Sequence, residues 1–97
     1  GEIPETYGVP VAQVVEGIQH GVRKVNIDTD LRLASTGSIR RFLAEHPAEF
    51  DPRKYFAASL DAMKSICIDR YEAFGTAGNA SKIQPLSLAD MQARYAA

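Results

Sequence analysis

The stretch HGVRKVNIDTDLR, His20 to Arg32, contains the change of period on which the fold turns. Val22 to Thr29 is short and β-branched, with Val25 and Ile27 on one side and Lys24, Asn26 and Asp28 on the other, the period of two that a strand imposes. Asp30 is then placed to cap a helix that opens at Leu31. A lone strand leaves its backbone donors and acceptors without partners, so the sequence predicts a piece of a larger body.

Helical signals lie on both sides of this strand. Upstream, Val11, Val14, Val15 and Ile18 recur at i, i+3, i+4 and i+7 between Pro10 and Gly21, which predicts an amphipathic helix. Downstream, a helix over 31–45 has Leu31, Ala34, Ile39, Phe42 and Leu43 as its expected buried positions despite Gly37, and Pro47 ends it. Asp51 and Pro52 open a longer helix over 52–74, with Phe56, Leu60, Met63, Cys67, Tyr71 and Phe74 on one stripe and Gly75 and Gly78 at its close. After the turn-rich stretch Thr76 to Pro85, Ser87 and Asp90 resemble a capping box before a last helix over 88–96. Helix, strand, helix is an α/β order, that of one unit of a TIM (β/α)8 barrel, here with a mostly helical extension. Residues 1–97 therefore read as one portion of a single barrel domain.

Composition narrows the function classes. The chain has 97 residues, 45% of them hydrophobic and 24% charged, as in an ordinary globular domain. Its 11 basic and 12 acidic residues give a net charge of −1, so nothing overall points to nucleic acid or an anionic membrane, and any anion must be recognised locally. A single cysteine cannot form an internal disulfide, and no apolar run approaches the roughly 18 residues of a membrane span. A cytoplasmic location is the simplest expectation. Gly1 to Tyr7 has no initiator methionine and no signal-peptide pattern, so the chain is expected to begin mid-protein.

Lys24, Asn26 and Asp28 put three polar side chains on one face of a strand where a structural strand would carry aliphatic ones. In a (β/α)8 barrel such residues point into the mouth at the carboxyl end, and phosphate binds near strands seven and eight. The Thr29 hydroxyl and the first N–H groups of the following helix suit a phosphate monoester. The competing reading is the solvated face of an edge strand. Arg32 and Arg53 stand near helix starts, an awkward place for a cation, and each is a candidate phosphate clamp; surface pairing is the ordinary alternative, as for Arg23, Arg40 and Arg41. His20 and His46 close helices with no partner at metal-ligand spacing, and Cys67 lies on an apolar stripe, where packing explains it.

The run HGVRKVNIDTDLR closely resembles the last barrel strand and following turn of class II fructose-bisphosphate aldolases. ETYGVP at Glu5 to Pro10, FDPRKY at Phe50 to Tyr55 and FGTAGNASKI at Phe74 to Ile83 extend the resemblance over nearly the whole chain and suggest the class IIB branch, carboxy-terminal portion. Related tagatose-bisphosphate aldolases carry a different sequence after the asparagine, whereas Ile27, Asp28, Thr29 and Asp30 follow here, so fructose 1,6-bisphosphate is the expected substrate. The resemblance implies reversible, Zn2+-dependent cleavage to dihydroxyacetone phosphate and glyceraldehyde 3-phosphate, in glycolysis, gluconeogenesis or the Calvin cycle. It places the zinc ligands outside this segment and is compatible with a monovalent cation and a homo-oligomer. By the same resemblance Asn26 acts on the dihydroxyacetone phosphate portion and its enediolate, while Ile27, Asp28 and Thr29 help hold substrate and phosphate. Arg32 then contacts the other end of the bisphosphate, Arg53 the distal phosphate in a neighbouring subunit's site, and Lys24 has a supporting place. Without the remainder of the aldolase chain the segment is expected to be inactive. The alternative is a non-catalytic helical interaction module, built on the stripe from Phe56 to Phe74.

Overall fold

Local chemistry sets the helix ends in the computed structural model, which describes residues 2–4 and 7–97; Glu5 and Thr6 of the ETYGVP motif lie outside the described residues, as does Gly1. Helix α1 spans Val11–Gln19, α2 Thr29–Glu45, α3 Pro52–Ala73 and α4 Leu88–Ala96, with a single 3-10 turn at Ala80–Lys82. The Pro10 carbonyl accepts from the Gln13 and Val14 N–H groups to start α1. Beyond its other end Gly21 takes φ 107°, a conformation that costs a side chain dearly, and the Arg23 guanidinium donates to the carbonyls of Ile18 and Val22 at 3.1 and 3.0 Å. Asp51 caps α3 by accepting from Arg53 N at 3.0 Å, with Pro52 in the first turn, and Gly75 at φ 73° turns the chain out at the far end. Ser87 Oγ accepts from Asp90 N at 3.1 Å and starts α4.

Helices α2 and α3 form an antiparallel hairpin, joined across by Ser35 with Ser59 near its middle and by Asp30 with Arg70 at its open end. The Ser35 and Ser59 hydroxyls meet at 2.6 Å, and Ser59 is the one buried residue among those described. Small side chains at this crossing let the helices approach closely. The more covered positions of α3, among them Tyr55, Ala58, Ser59, Ala62, Met63, Ile66 and Arg70, recur at three and four residues and mark the face turned to α2. The predicted stripe is therefore corrected. Phe56, Leu60 and Tyr71 are 59%, 64% and 59% exposed, because α3 has apolar residues on two faces and the hairpin covers only one of them. Leu43 of α2 is likewise exposed.

The segment between α1 and α2 departs from the expected strand. Residues 22–28 carry no ladder, and the described residues contain no strand. Among those residues no backbone hydrogen bond reaches 23–27. The alternation nonetheless survives: Val25 and Ile27 are half-buried toward the helices, and Lys24, Asn26 and Asp28 are exposed on the other side. A side-chain period can be set by the helices beneath, whereas a ladder needs a second strand. Helix α2 begins at Thr29 rather than Leu31, with Asp28 rather than Asp30 at the cap position. The Asp28 carbonyl accepts from Arg32 N at 3.0 Å, which brings Thr29 and Asp30 into the first turn.

No apolar side chain is buried among the described residues. The radius of gyration is 18.5 Å, against about 13 Å for a compact domain of this length. The accessible surface is 8012 Å², where a compact monomer of this mass exposes roughly 5,500 Å². Most of the helical structure therefore lacks the apolar burial that makes unfolding cooperative. The 97 residues studied alone should melt gradually, losing far-UV circular dichroism over a wide temperature range; a sharp two-state transition at the same wavelength would show a core that the packing does not contain.

Candidate functional site

Polar side chains on residues 24–28, the first turn of α2 and the end of α3 meet at one end of the hairpin. There the extended segment roofs a cleft of about 590 Å³ bordered by Val14, Val22, Asn26, Asp30, Arg70 and Phe74. Above it Lys24 Nζ donates to Asn26 Oδ1, so the two residues that share a face also share a hydrogen bond. Thr29 follows as the first residue of α2, where backbone N–H groups have no intrahelical acceptor and the dipole is positive.

Arg32 Nε pairs with Asp28 Oδ1 at 2.9 Å, one turn apart, with side chains 78% and 71% exposed. Such a pair contributes only about 0.3–0.5 kcal/mol, so an anion can displace it. A smaller hollow of about 290 Å³ beside it is bordered by Asp28, Thr29, Arg32 and Arg40, which places two guanidinium-bearing residues and a hydroxyl around the start of α2. Arg40 was read from sequence as an ordinary surface residue; its place one helical face along from Arg32 becomes visible once α2 is known to be continuous.

Arg53 is not brought into this group. It opens α3 at the opposite end of the hairpin, roughly 25 Å away along the 17 residues of α2. Its side chain is 90% exposed and its Nη2 lies 2.7 Å from Asp51 Oδ2. Hydrogen bonds from the Arg53 guanidinium, then from its backbone N–H, hold the Asp51 carboxyl below the usual range, and the same contact raises Arg53.

Asp30 and Arg70 have a part in the geometry that the sequence reading did not give them. Asp30 Oδ1 accepts from Gly8 N at 2.9 Å and Oδ2 from Arg70 Nη2 at 3.0 Å. With Asp30 11% and Arg70 18% exposed, this is the most covered ion pair among the described residues. The Gly8 N–H foremost, then the Arg70 hydrogen bond, hold the Asp30 carboxyl below its ordinary value. An acid in a helix's first turn and a base in another's last turn are both ordinary companions of the dipole, and only their meeting across 40 residues shows more.

His46 stacks on Phe42 with ring centroids 4.6 Å apart, and its Nδ1 lies 3.1 Å from the Phe42 carbonyl. Among the described residues no three His, Cys, Asp or Glu side chains converge in a way that fits a metal ion. Cys67 is half-buried, and no helix among the described residues is long and apolar enough to cross a membrane.

Comparison with known proteins gives this geometry a context. The family described as Fructose-bisphosphate aldolase class-II matches residues 6–79. A fructose-bisphosphate aldolase of Pseudomonas aeruginosa is 75% identical over 96 residues, which cover 99% of this chain and 27% of that protein. One from Xanthobacter flavus is 58% identical over the same shares, and fructose-bisphosphate aldolase 2 of Rhodobacter capsulatus is 55% identical with 84% of its own length covered. The chain thus spans about a quarter of the length of the first of these relatives.

The lowered Asp30 carboxyl predicts a pH dependence with a definite sign. Its folded pKa lies below the unfolded value, so the contact stabilises fully above about pH 4 and loses that contribution as pH falls through the folded pKa. In acid unfolding of the full-length protein, wild type should be more stable than Asp30→Asn at pH 6–7, and the difference should vanish near pH 3. A gap that widened on acidification would contradict the assignment.

Proposed function

This chain belongs to the class II fructose-bisphosphate aldolase family, and from that premise we propose that it is the carboxy-terminal portion of such an enzyme, supplying part of its substrate and phosphate site. The observation that carries the proposal is the exposed row Lys24, Asn26 and Asp28 leading directly into the first turn of α2. In the assembled enzyme residues 22–29 form the last strand of the barrel, paired to neighbours supplied by the rest of the protein. The row then faces the mouth of the barrel.

The reaction is reversible cleavage of the C3–C4 bond of fructose 1,6-bisphosphate to dihydroxyacetone phosphate and glyceraldehyde 3-phosphate. Negative charge develops on the dihydroxyacetone phosphate half as the bond breaks, and the Asn26 amide hydrogen-bonds the oxygens that receive it. The contact of Lys24 with its Oδ1 orients that amide. The Thr29 hydroxyl and the N–H groups around Ile27, Asp28 and Thr29 take the phosphate at the start of α2, with Asp28 accepting from a substrate hydroxyl. Arg32 leaves Asp28 for the other end of the bisphosphate, a bidentate role that its exposed pair permits. Arg53, too distant to serve its own site, serves one in a neighbouring subunit of a homo-oligomer.

The family is metal dependent, and we assign the ion as zinc, with ligands outside these residues, since those described here do not fit one. The setting is the cytoplasm. The reading as a helical interaction module draws on the exposed apolar residues of α3 but gives the polar row no purpose.

Asn26→Ala in the full-length enzyme should lower kcat by about 100-fold or more with the melting temperature within about 2 °C of wild type. Undiminished kcat would remove Asn26 from the chemistry. Arg53→Ala should raise KM for fructose 1,6-bisphosphate by about tenfold or more at nearly constant kcat, and an unaltered KM would take Arg53 out of every site.

A further inference from the structure

We infer that Arg70 is a positioning residue for the substrate-binding segment, acting through Asp30. The inference rests on the proposed function and adds to it a residue on another helix, outside the row itself.

The segment that carries Asn26 has little to hold it from within. Residues 23–27 have no backbone hydrogen bond among the described residues, and their two junctions are the Gly21 turn and the first turn of α2. Asp30 is the next residue after Thr29, and its two carboxylate oxygens take different partners. Gly8 N, from the loop that precedes α1, reaches Oδ1 at 2.9 Å; Arg70 Nη2, from the last turn of α3, reaches Oδ2 at 3.0 Å. One side chain thereby fixes the first turn of α2 against two elements 22 and 40 residues away. Tilt of that turn would carry Thr29, Asp28 and Asn26 with it.

Arg70 is placed behind the segment and not on its ligand face. Its side chain is 18% exposed and borders both the cleft under Asn26 and the apolar groove of Ile18, Val25 and Phe74 on the other side. The outward row is formed by other residues, so any effect of Arg70 on substrate must pass through their placement. The hairpin has a separate fastening at Ser35 and Ser59, which makes the aim of the segment separable from the pairing of the helices. A misplacement of about 1 Å at reacting atoms is enough to lose roughly 100-fold in rate.

The test is a double-mutant cycle between Arg70→Met and Asn26→Ala in the full-length zinc-loaded enzyme, with zinc content and thermal melting followed beside kcat/KM. Arg70→Met should lower kcat/KM for fructose 1,6-bisphosphate by about 100-fold while zinc content is retained, and Arg70→Lys should recover at least tenfold of that. If Arg70 works by aiming Asn26, its loss should cost less than about tenfold once Asn26 is already Ala. Wild-type kcat/KM in Arg70→Met, or losses that multiply in full, would overturn the inference. Should Arg70→Met not fold, the same cycle run with Arg70→Lys decides: a severalfold loss that disappears with Asn26→Ala supports it, and full activity or a loss unaffected by Asn26 overturns it. A wild-type enzyme unable to cleave fructose 1,6-bisphosphate would instead overturn the functional reading, a result visible before any variant is made.

Discussion

An extended backbone without a neighbour is the constraint on which this structure depends. Residues 23–27 hold a strand's side-chain alternation but make no backbone hydrogen bond among the described residues. Such groups pair with another strand, with other protein atoms or with water. With no paired strand, the helices around the segment have no sheet to pack on, and their apolar faces remain open. The large radius of gyration, the lack of any buried apolar side chain and the exposed residues of α3 all express that single deficit. A sheet contributed by the rest of the aldolase would remove it, and it would turn the polar row from a solvated edge into one wall of a site.

The hairpin of α2 and α3 does the complementary work. Its open end holds the first turn of α2 through Asp30, Gly8 and Arg70, and its closed end presents Arg53 roughly 25 Å away. Phosphate-binding chemistry therefore appears at both ends of one rigid unit. The separation explains how one chain can serve two sites without any conformational change, provided that subunits assemble. It also divides the charges sensibly: Arg32 and Arg53 are held by exposed carboxylates that an anion can replace, while Arg70 is held by a covered one that it cannot easily replace.

What could be read from the sequence was what local chemistry decides. The α4 boundaries matched, α3 ended one residue early, and the caps at Asp51 and Ser87 formed as expected because each satisfies N–H groups two or three residues away. The alternation through Val25 and Ile27 was legible for the same reason. Partners distant in sequence were not. Asp30 looked like a cap because its neighbours fit one, yet its acceptor oxygens were committed to Gly8 and Arg70. The stripe of α3 was misassigned because periodicity finds an apolar face without saying which of two faces the next helix will take. Of the site, Asn26, Asp28, Thr29 and Arg32 were found by chemistry on one short stretch, whereas Arg40 and Arg70 needed the helices to be folded first.

Amide hydrogen exchange over residues 22–28, measured in the 97-residue chain and again in the full-length enzyme, tests the central claim most directly. The account predicts exchange near the unprotected rate in the short chain and slowing by about 1,000-fold or more in the full-length enzyme, where the segment becomes a paired strand. Equal exchange in the two would contradict it, since the extended segment would then gain no neighbour from the rest of the protein.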